Sequence, residues 1–191
     1  TYGSWYRLGQ DTLKKNFEEH LKILGDTGIY LIILEAMTSE VDTVKTLINC
    51  SGKVNLPTWL SVSCAFDEKT NKVMLGYQES IGNTKAEIYE DFDKAIKQFS
   101  SLHDGPILIA HSDIKIINDA IKIIKNNHKG FIGTYPNNGY FEKPHWKSVE
   151  SFTPENYLNE AKSWVKNGSQ IIGGCCGVGP DLIKPLSTLK Q

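Results

Sequence analysis

With 191 residues, 40% of them apolar, the chain has enough material for one globular domain with a sizeable core and too little for two large ones. Its 21 basic and 22 acidic side chains leave a net charge of -1, and the lysines are scattered along helical segments, which argues against nucleic acid as a partner. No apolar run approaches the roughly 20 residues that span a bilayer, the first residues lack the build of a signal peptide, and four irregularly spaced cysteines make no disulfide scaffold; a soluble, cytoplasmic protein in a reducing compartment, without membrane association, is the expectation.

In chain order, residues 11–24 place Leu13, Phe17, Leu21 and Leu24 at helical spacing behind Asp11, an expected cap. "GIYLIILE" (28–35) is a short unbroken apolar run ending in an acid, as in a strand buried on both faces. A helix is expected from about Ser39, with Val41, Val44, Leu47 and Ile48 in one stripe. "LPTWLSVSC" (56–64) reads as a second strand, followed by a long polar loop and a helix over 85–102. "GPILIAH" (105–111) reads as a third strand, after which Ser112 is expected to cap a helix bearing Ile114, Ile117, Ile121 and Ile124. "KGFIGTYPNNG" (129–139) is a fourth, followed by a loop and a helix opened by Thr153 with Pro154 at its first position. "SQIIGGCCG" (169–177) is a fifth, and Pro180 starts the last helix. Five successive strand-then-helix units with apolar strands predict a parallel α/β architecture in a single domain. Strand count alone favours an open sheet, since a closed (β/α)8 barrel typically needs about 250 residues.

In either arrangement the working face lies at the carboxyl ends of the strands. Those ends carry Glu35, then Ser63 and Cys64, then His111, then Tyr135, Asn137 and Asn138, then Cys175 and Cys176. Adjacent cysteines can both bind one zinc ion if the backbone bends, and Gly173, Gly174 and Gly177 permit such a bend. The same pair also reads as two small apolar residues at a strand end. A catalytic zinc needs a third protein ligand from another strand, and His111 is the natural candidate. Glu35 either binds a cationic group or caps the next helix. Asn137 and Asn138 also make good turn chemistry. Cys64 reads as a core-edge residue, Cys50 carries no suggested role, and His20, His103, His128 and His145 read as surface residues. "GVGP" (177–180) lacks the Lys-Ser/Thr of a nucleotide-binding loop, and no G-x-G-x-x-G follows an early strand.

The succession "IILEA", "PTWLSVSC", "TYPNNG" and "IIGGCCGVGPDLI", with Trp164 in the helix before the last strand, resembles the homocysteine S-methyltransferases. The resemblance implies a (β/α)8 barrel of which this chain corresponds to the last five units, beginning after the third strand at "TYG" (1–3). It also implies that Cys175 and Cys176 are two of three zinc ligands and that Glu35 contacts the amino group of homocysteine. His111 stands where that family has its third cysteine ligand. Ala110, Ala36 and Tyr140 replace an Asn, a Thr and a Glu of the family pattern.

The implied activity is zinc-dependent methylation of homocysteine to methionine, from a donor carrying its methyl group on sulfur or nitrogen. The metal would lower the pKa of the incoming thiol. A Cys-Cys-His set is one charge unit less negative than three thiolates, so a site that binds zinc but turns over slowly, or uses another thiol, is expected. The rival expectation is a non-catalytic or incomplete barrel fragment that keeps a metal-binding or structural role. Five parallel strands alone leave two edges, which upstream residues or a second chain would have to cover.

Overall fold

The computed structural model describes residues 9–149 and 152–189. Its centre is a five-stranded parallel sheet built from β1 (Ile32–Leu34), β2 (Thr58–Val62), β6 (Ile107–Asp113), β7 (Ile132–Asn137) and β10 (Ile171–Ile172), paired in that order. The registers join Ile32 to Thr58, Leu60 to Ile107, Ile107 to Ile132 and Ile171 to Gly133. Each parallel strand thus lies beside the next one in the chain, with no reversal of order of the kind that marks a doubly wound open sheet. This succession is compatible with a partial α/β barrel, while β1 and β10 each pair on one side only among the described residues.

The helices α1 (Gln10–Gly25), α2 (Val41–Ser51), α3 (Phe92–Ser100), α4 (Ile117–Asn127) and α5 (Pro154–Asn167) pack each against the next along the sheet. Their stripes follow the 3.6-residue period: Val44, Leu47 and Ile48 on α2, Phe92, Ala95, Ile96 and Phe99 on α3, and Ile117, Ala120, Ile121 and Ile124 on α4. These meet the strand residues Leu60, Val62, Ile107 and Ile109, all without solvent exposure, in one core. Tyr157, Ala161 and Trp164 of α5 close it, with the two aromatic rings edge to face at 5.5 Å. Thr153 accepts the amide of Asn156 at 3.2 Å and Pro154 opens the helix, as the sequence indicates. Asp11, in contrast, lies inside the first turn of α1, whose N-cap is Gly9.

Several boundaries differ from the sequence reading, for a shared reason: strand length is set by the partner, not by the apolar run. Of residues 28–35 only Ile32–Leu34 pair, and Tyr30 is 91% exposed. Of 169–177 only Ile171–Ile172 pair, and the glycine-cysteine segment is a turn. β6 runs past its expected end, so Ser112 is buried in the strand and Asp113 takes the capping role, accepting the Lys115 amide at 2.8 Å.

The largest difference concerns the segment expected as a polar loop. β3 (Cys64–Asp67), β4 (Lys72–Tyr77) and β5 (Glu87–Asp91) form an antiparallel sheet. The helix expected over 85–102 therefore begins only at Phe92, where Asp91 accepts the amides of Asp93 and Lys94. Residues 87–91 gain more from pairing with β4 than from an extra helical turn, the usual way in which tertiary context overrides propensity. After β7, β8 (Tyr140–Glu142) and β9 (His145–Lys147) make a hairpin. The described residues end in α6 (Pro180–Ile183) and a 3-10 segment, Lys184–Leu189. No helix among the described residues is long and apolar enough to cross a membrane. The "TYG" segment lies outside the described residues.

Candidate metal centre

The carboxyl ends of β6 and β10 bring His111, Cys175 and Cys176 together. Nδ1 of His111 lies 3.5 Å from Sγ of each cysteine, and the two sulfurs are 3.9 Å apart. A tetrahedral zinc with Zn–S of about 2.3 Å and Zn–N of about 2.0 Å requires its donors to be about 3.5 Å apart for N and S and about 3.8 Å apart for two sulfurs. The three donors therefore fit one zinc ion without rearrangement.

Local backbone explains how each donor is aimed. The β6–β7 register shifts between Ala110 and Asp113, and at this irregularity His111 adopts a left-handed φ of +48°. A non-glycine residue is strained there, and such strain clusters at functional positions. The bulge turns the imidazole to the rim while leaving Ala110 and Ser112 buried. On the other strand, the Cys175 amide donates to Pro136 O at 3.0 Å and the Asn138 amide donates to Cys176 O at 2.8 Å, so the cysteine turn is stitched to the end of β7. Gly177 has φ +75°, and a Cβ there would lie 2.2 Å from both Asn138 O and Trp146 Nε1. Gly174 is similarly closed in, 2.2 Å from Val178 Cγ1.

Burial holds the His111 imidazole below its ordinary range, against the opposing influence of the Glu79 carboxylate and Asn137. Burial first, then Cys175 and Glu79, push the Cys176 thiol up to about 12. A cation at the cluster would reverse the second effect, because coordination deprotonates a thiol outright.

The remaining rim residues divide into two groups. Glu35 is exposed and accepts a 2.8 Å hydrogen bond from Tyr135 Oη, which also hydrogen-bonds the Ser61 hydroxyl. It caps no helix, since the N-cap of α2 is Glu40. Burial raises the Tyr135 pKa strongly, with Glu35 and Cys175 adding to the rise. Asn137 is 2% exposed at the end of β7; its amide makes no hydrogen bond of good geometry, and its side chain lies against the His111 imidazole. It borders a cleft of about 350 Å³ that is also lined by Glu79, Asp113, Lys115, Phe152 and Glu160. Asn138 instead serves the turn, its Nδ2 donating to Gly177 O at 3.3 Å.

Cys64 is fully buried with its thiol pushed up to about 12 by burial, and Cys50 is also buried. His103 and His128, expected on the surface, are each only 8% exposed and hold Pro106 O and Gly105 O at 3.2 and 2.9 Å. Their positions at chain reversals hid this from the pattern, whereas His20 and His145 are exposed as expected.

Two residues escaped the sequence reading altogether. Tyr77, at the end of β4, lies 2.8 Å from His111 Nε2, and its hydroxyl donates to Glu79 Oε1 at 2.7 Å. Alternation of Val73, Leu75 and Tyr77 after an Asn71 turn is the hairpin signal that points to them.

The sequence profile of the homocysteine S-methyltransferases matches residues 1–189. The chain is 26% identical to homocysteine S-methyltransferase 3 of Zea mays over 99% of this chain and 53% of that protein. It is 26% identical to the selenocysteine methyltransferase of Astragalus bisulcatus over 93% and 49%, respectively. The chain thus spans about half the length of the curated relatives it matches. Among solved structures, the carboxyl transferase domain of Rhizobium etli pyruvate carboxylase is similar with a TM-score of 0.54 at 10% identity, over 95% of this chain and 28% of that one. That likeness concerns the fold alone.

Proposed function

The chain belongs to the homocysteine S-methyltransferase family, and on that premise we propose that it forms the metal-bearing part of a (β/α)8 barrel that transfers a methyl group to the thiol of homocysteine, giving methionine. The observation that carries the reading is the set of donor separations among His111, Cys175 and Cys176, which matches a zinc site. A zinc ion held there would supply the Lewis acidity that keeps the acceptor thiol ionised at neutral pH.

The chain's own residues do the rest. Glu35, oriented by Tyr135, presents a carboxylate to the amino group of homocysteine. Asn137 offers a buried amide beside His111 at the edge of the cleft, with hydrogen-bonding capacity that a substrate contact would use. Together they hold the amino acid so that its thiol faces the methyl donor, which is the contribution of orientation to the rate. That one relative is named for homocysteine and another for selenocysteine supports a sulfur or selenium nucleophile.

The test is zinc content after purification together with zinc-dependent methylation of homocysteine by several donors, compared with Cys176→Ala. Stoichiometric zinc and methylation that Cys176→Ala abolishes are expected. Absence of zinc after supplementation, or methylation indifferent to Cys176→Ala, overturns the reading. A second reading, an incomplete barrel that binds metal without turnover, is favoured by β1 and β10 each pairing on one side only among the described residues. Further strands or a second chain would complete the sheet. Zinc binding without methylation, restored by adding the missing half, would support it.

A further inference from the structure

The histidine that replaces the family's third cysteine does not stand alone. Its Nε2 lies 2.8 Å from the Tyr77 hydroxyl, which donates to Glu79 Oε1 at 2.7 Å; the same carboxylate oxygen is 3.9 Å from Nε2. The phenol proton goes to the carboxylate, so Tyr77 Oη is left to accept, and the imidazole must carry its proton on Nε2. The lone pair then sits on Nδ1, which is the atom 3.5 Å from both sulfurs.

The relay is built into the fold. The Tyr77 and His111 rings stack with centroids 4.9 Å apart. Glu79 has its second oxygen occupied by the Phe141 amide at 2.7 Å, and its side chain is only 12% exposed. The segment that follows β4 is pinned to the bulge of β6: Gln78 bridges Ser112, and the Ile81 amide donates to Asp113 Oδ2 at 2.7 Å.

We propose that Tyr77 and Glu79 are positioning residues that fix the His111 tautomer and ring orientation, and lend the neutral imidazole part of the negative charge that a third thiolate would have carried. This inference rests on the zinc-site reading above and extends it to the antiparallel insert β3–β5, whose role would be to deliver the relay. Groups hydrogen-bonded behind a metal-ligating imidazole typically change metal affinity about 10- to 100-fold when removed.

The experiment has two readouts. In the metal-free protein, 15N NMR of the His111 ring is expected to show the Nε2-protonated tautomer, with a mixture in Tyr77→Phe. Zinc competition against a chelator is expected to show affinity reduced about 10- to 100-fold in Tyr77→Phe and by a smaller factor in Glu79→Gln. In a His111→Cys background, the same Tyr77→Phe change is expected to leave zinc affinity unaltered, since a thiolate needs no tautomer; a merely structural Tyr77 would weaken both backgrounds alike. Unchanged tautomer and affinity in Tyr77→Phe, or equal losses in the two backgrounds, overturns the relay. Failure of the unaltered protein to bind zinc defeats the metal-site reading instead, and the tautomer measurement then decides whether the relay orients His111. Should Tyr77→Phe fail to fold, Glu79→Gln carries both readouts.

Discussion

Gly177→Ala tests how tightly the cysteine turn is specified. The new Cβ would lie 2.2 Å from Asn138 O and 2.2 Å from Trp146 Nε1, atoms that are themselves joined by a 2.6 Å hydrogen bond. The left-handed φ of +75° adds about 1–2 kcal/mol of strain for any L side chain. Opening the Trp146–Asn138 and Asn138–Gly177 hydrogen bonds adds about 1 kcal/mol each. The sum is about 3–4 kcal/mol, which for a chain of this size lowers the thermal midpoint by on the order of 10 °C. Because Gly177 adjoins Cys176, zinc affinity should fall at least about tenfold, or about 1.4 kcal/mol. Differential scanning calorimetry and chelator competition would measure both. Gly179→Ala is the control: nothing lies within 4 Å of its Cβ, so a change within about 0.5 kcal/mol is expected. A Gly177→Ala protein with the stability and zinc affinity of the parent would refute the reasoning.

Three further outcomes follow from the same physics. Burial holds both His103 and His128 below their ordinary range, so the unfolded chain binds protons that the folded one refuses. Stability should therefore be full above the unfolded value of about 6.5 and fall as the pH drops below it, with a shallower fall in His103→Gln; urea midpoints across that window would show a flat profile if the idea is wrong. The Cys176 thiol, pushed up to about 12, must lose its proton to solvent for a metal to bind there, so apparent zinc affinity should rise about tenfold per pH unit for each proton released near neutrality. A pH-independent affinity in buffered competition experiments would contradict it. Trp164→Ala removes the largest fully buried side chain among the described residues, and a loss of about 3–5 kcal/mol in urea denaturation is expected, whereas a loss below about 1 kcal/mol would mean that α5 does not anchor the core.

Much of the architecture is local in origin, and to that extent the amino-acid order alone determines it. The stripes of α2, α3 and α4 are i, i+3, i+4 patterns that one helix can display without help, and Thr153-Pro154 is a start signal contained in two residues. The glycine-flanked cysteine pair likewise announces a bend, because φ of +75° at Gly177 is a property that few other residues allow. The candidate metal site of His111, Cys175 and Cys176 was open to inference because all three lie at or just beyond the carboxyl ends of parallel strands. What only tertiary structure decided are the features that depend on partners distant in the chain. The lengths of β1 and β10, the antiparallel β3–β5 insert in place of a loop, and the burial of His103 and His128 all follow from which backbone lies alongside. So do the hydrogen bonds behind His111: Tyr77 and Glu79 are 34 and 32 positions from it, and the contacts of Gln78 with Ser112 and of Ile81 with Asp113 bring them to its imidazole. Hydrogen bonds between such remote segments leave no periodicity in the chain, which is why the three rim side chains could be singled out from sequence and the hydrogen bonds behind His111 could not.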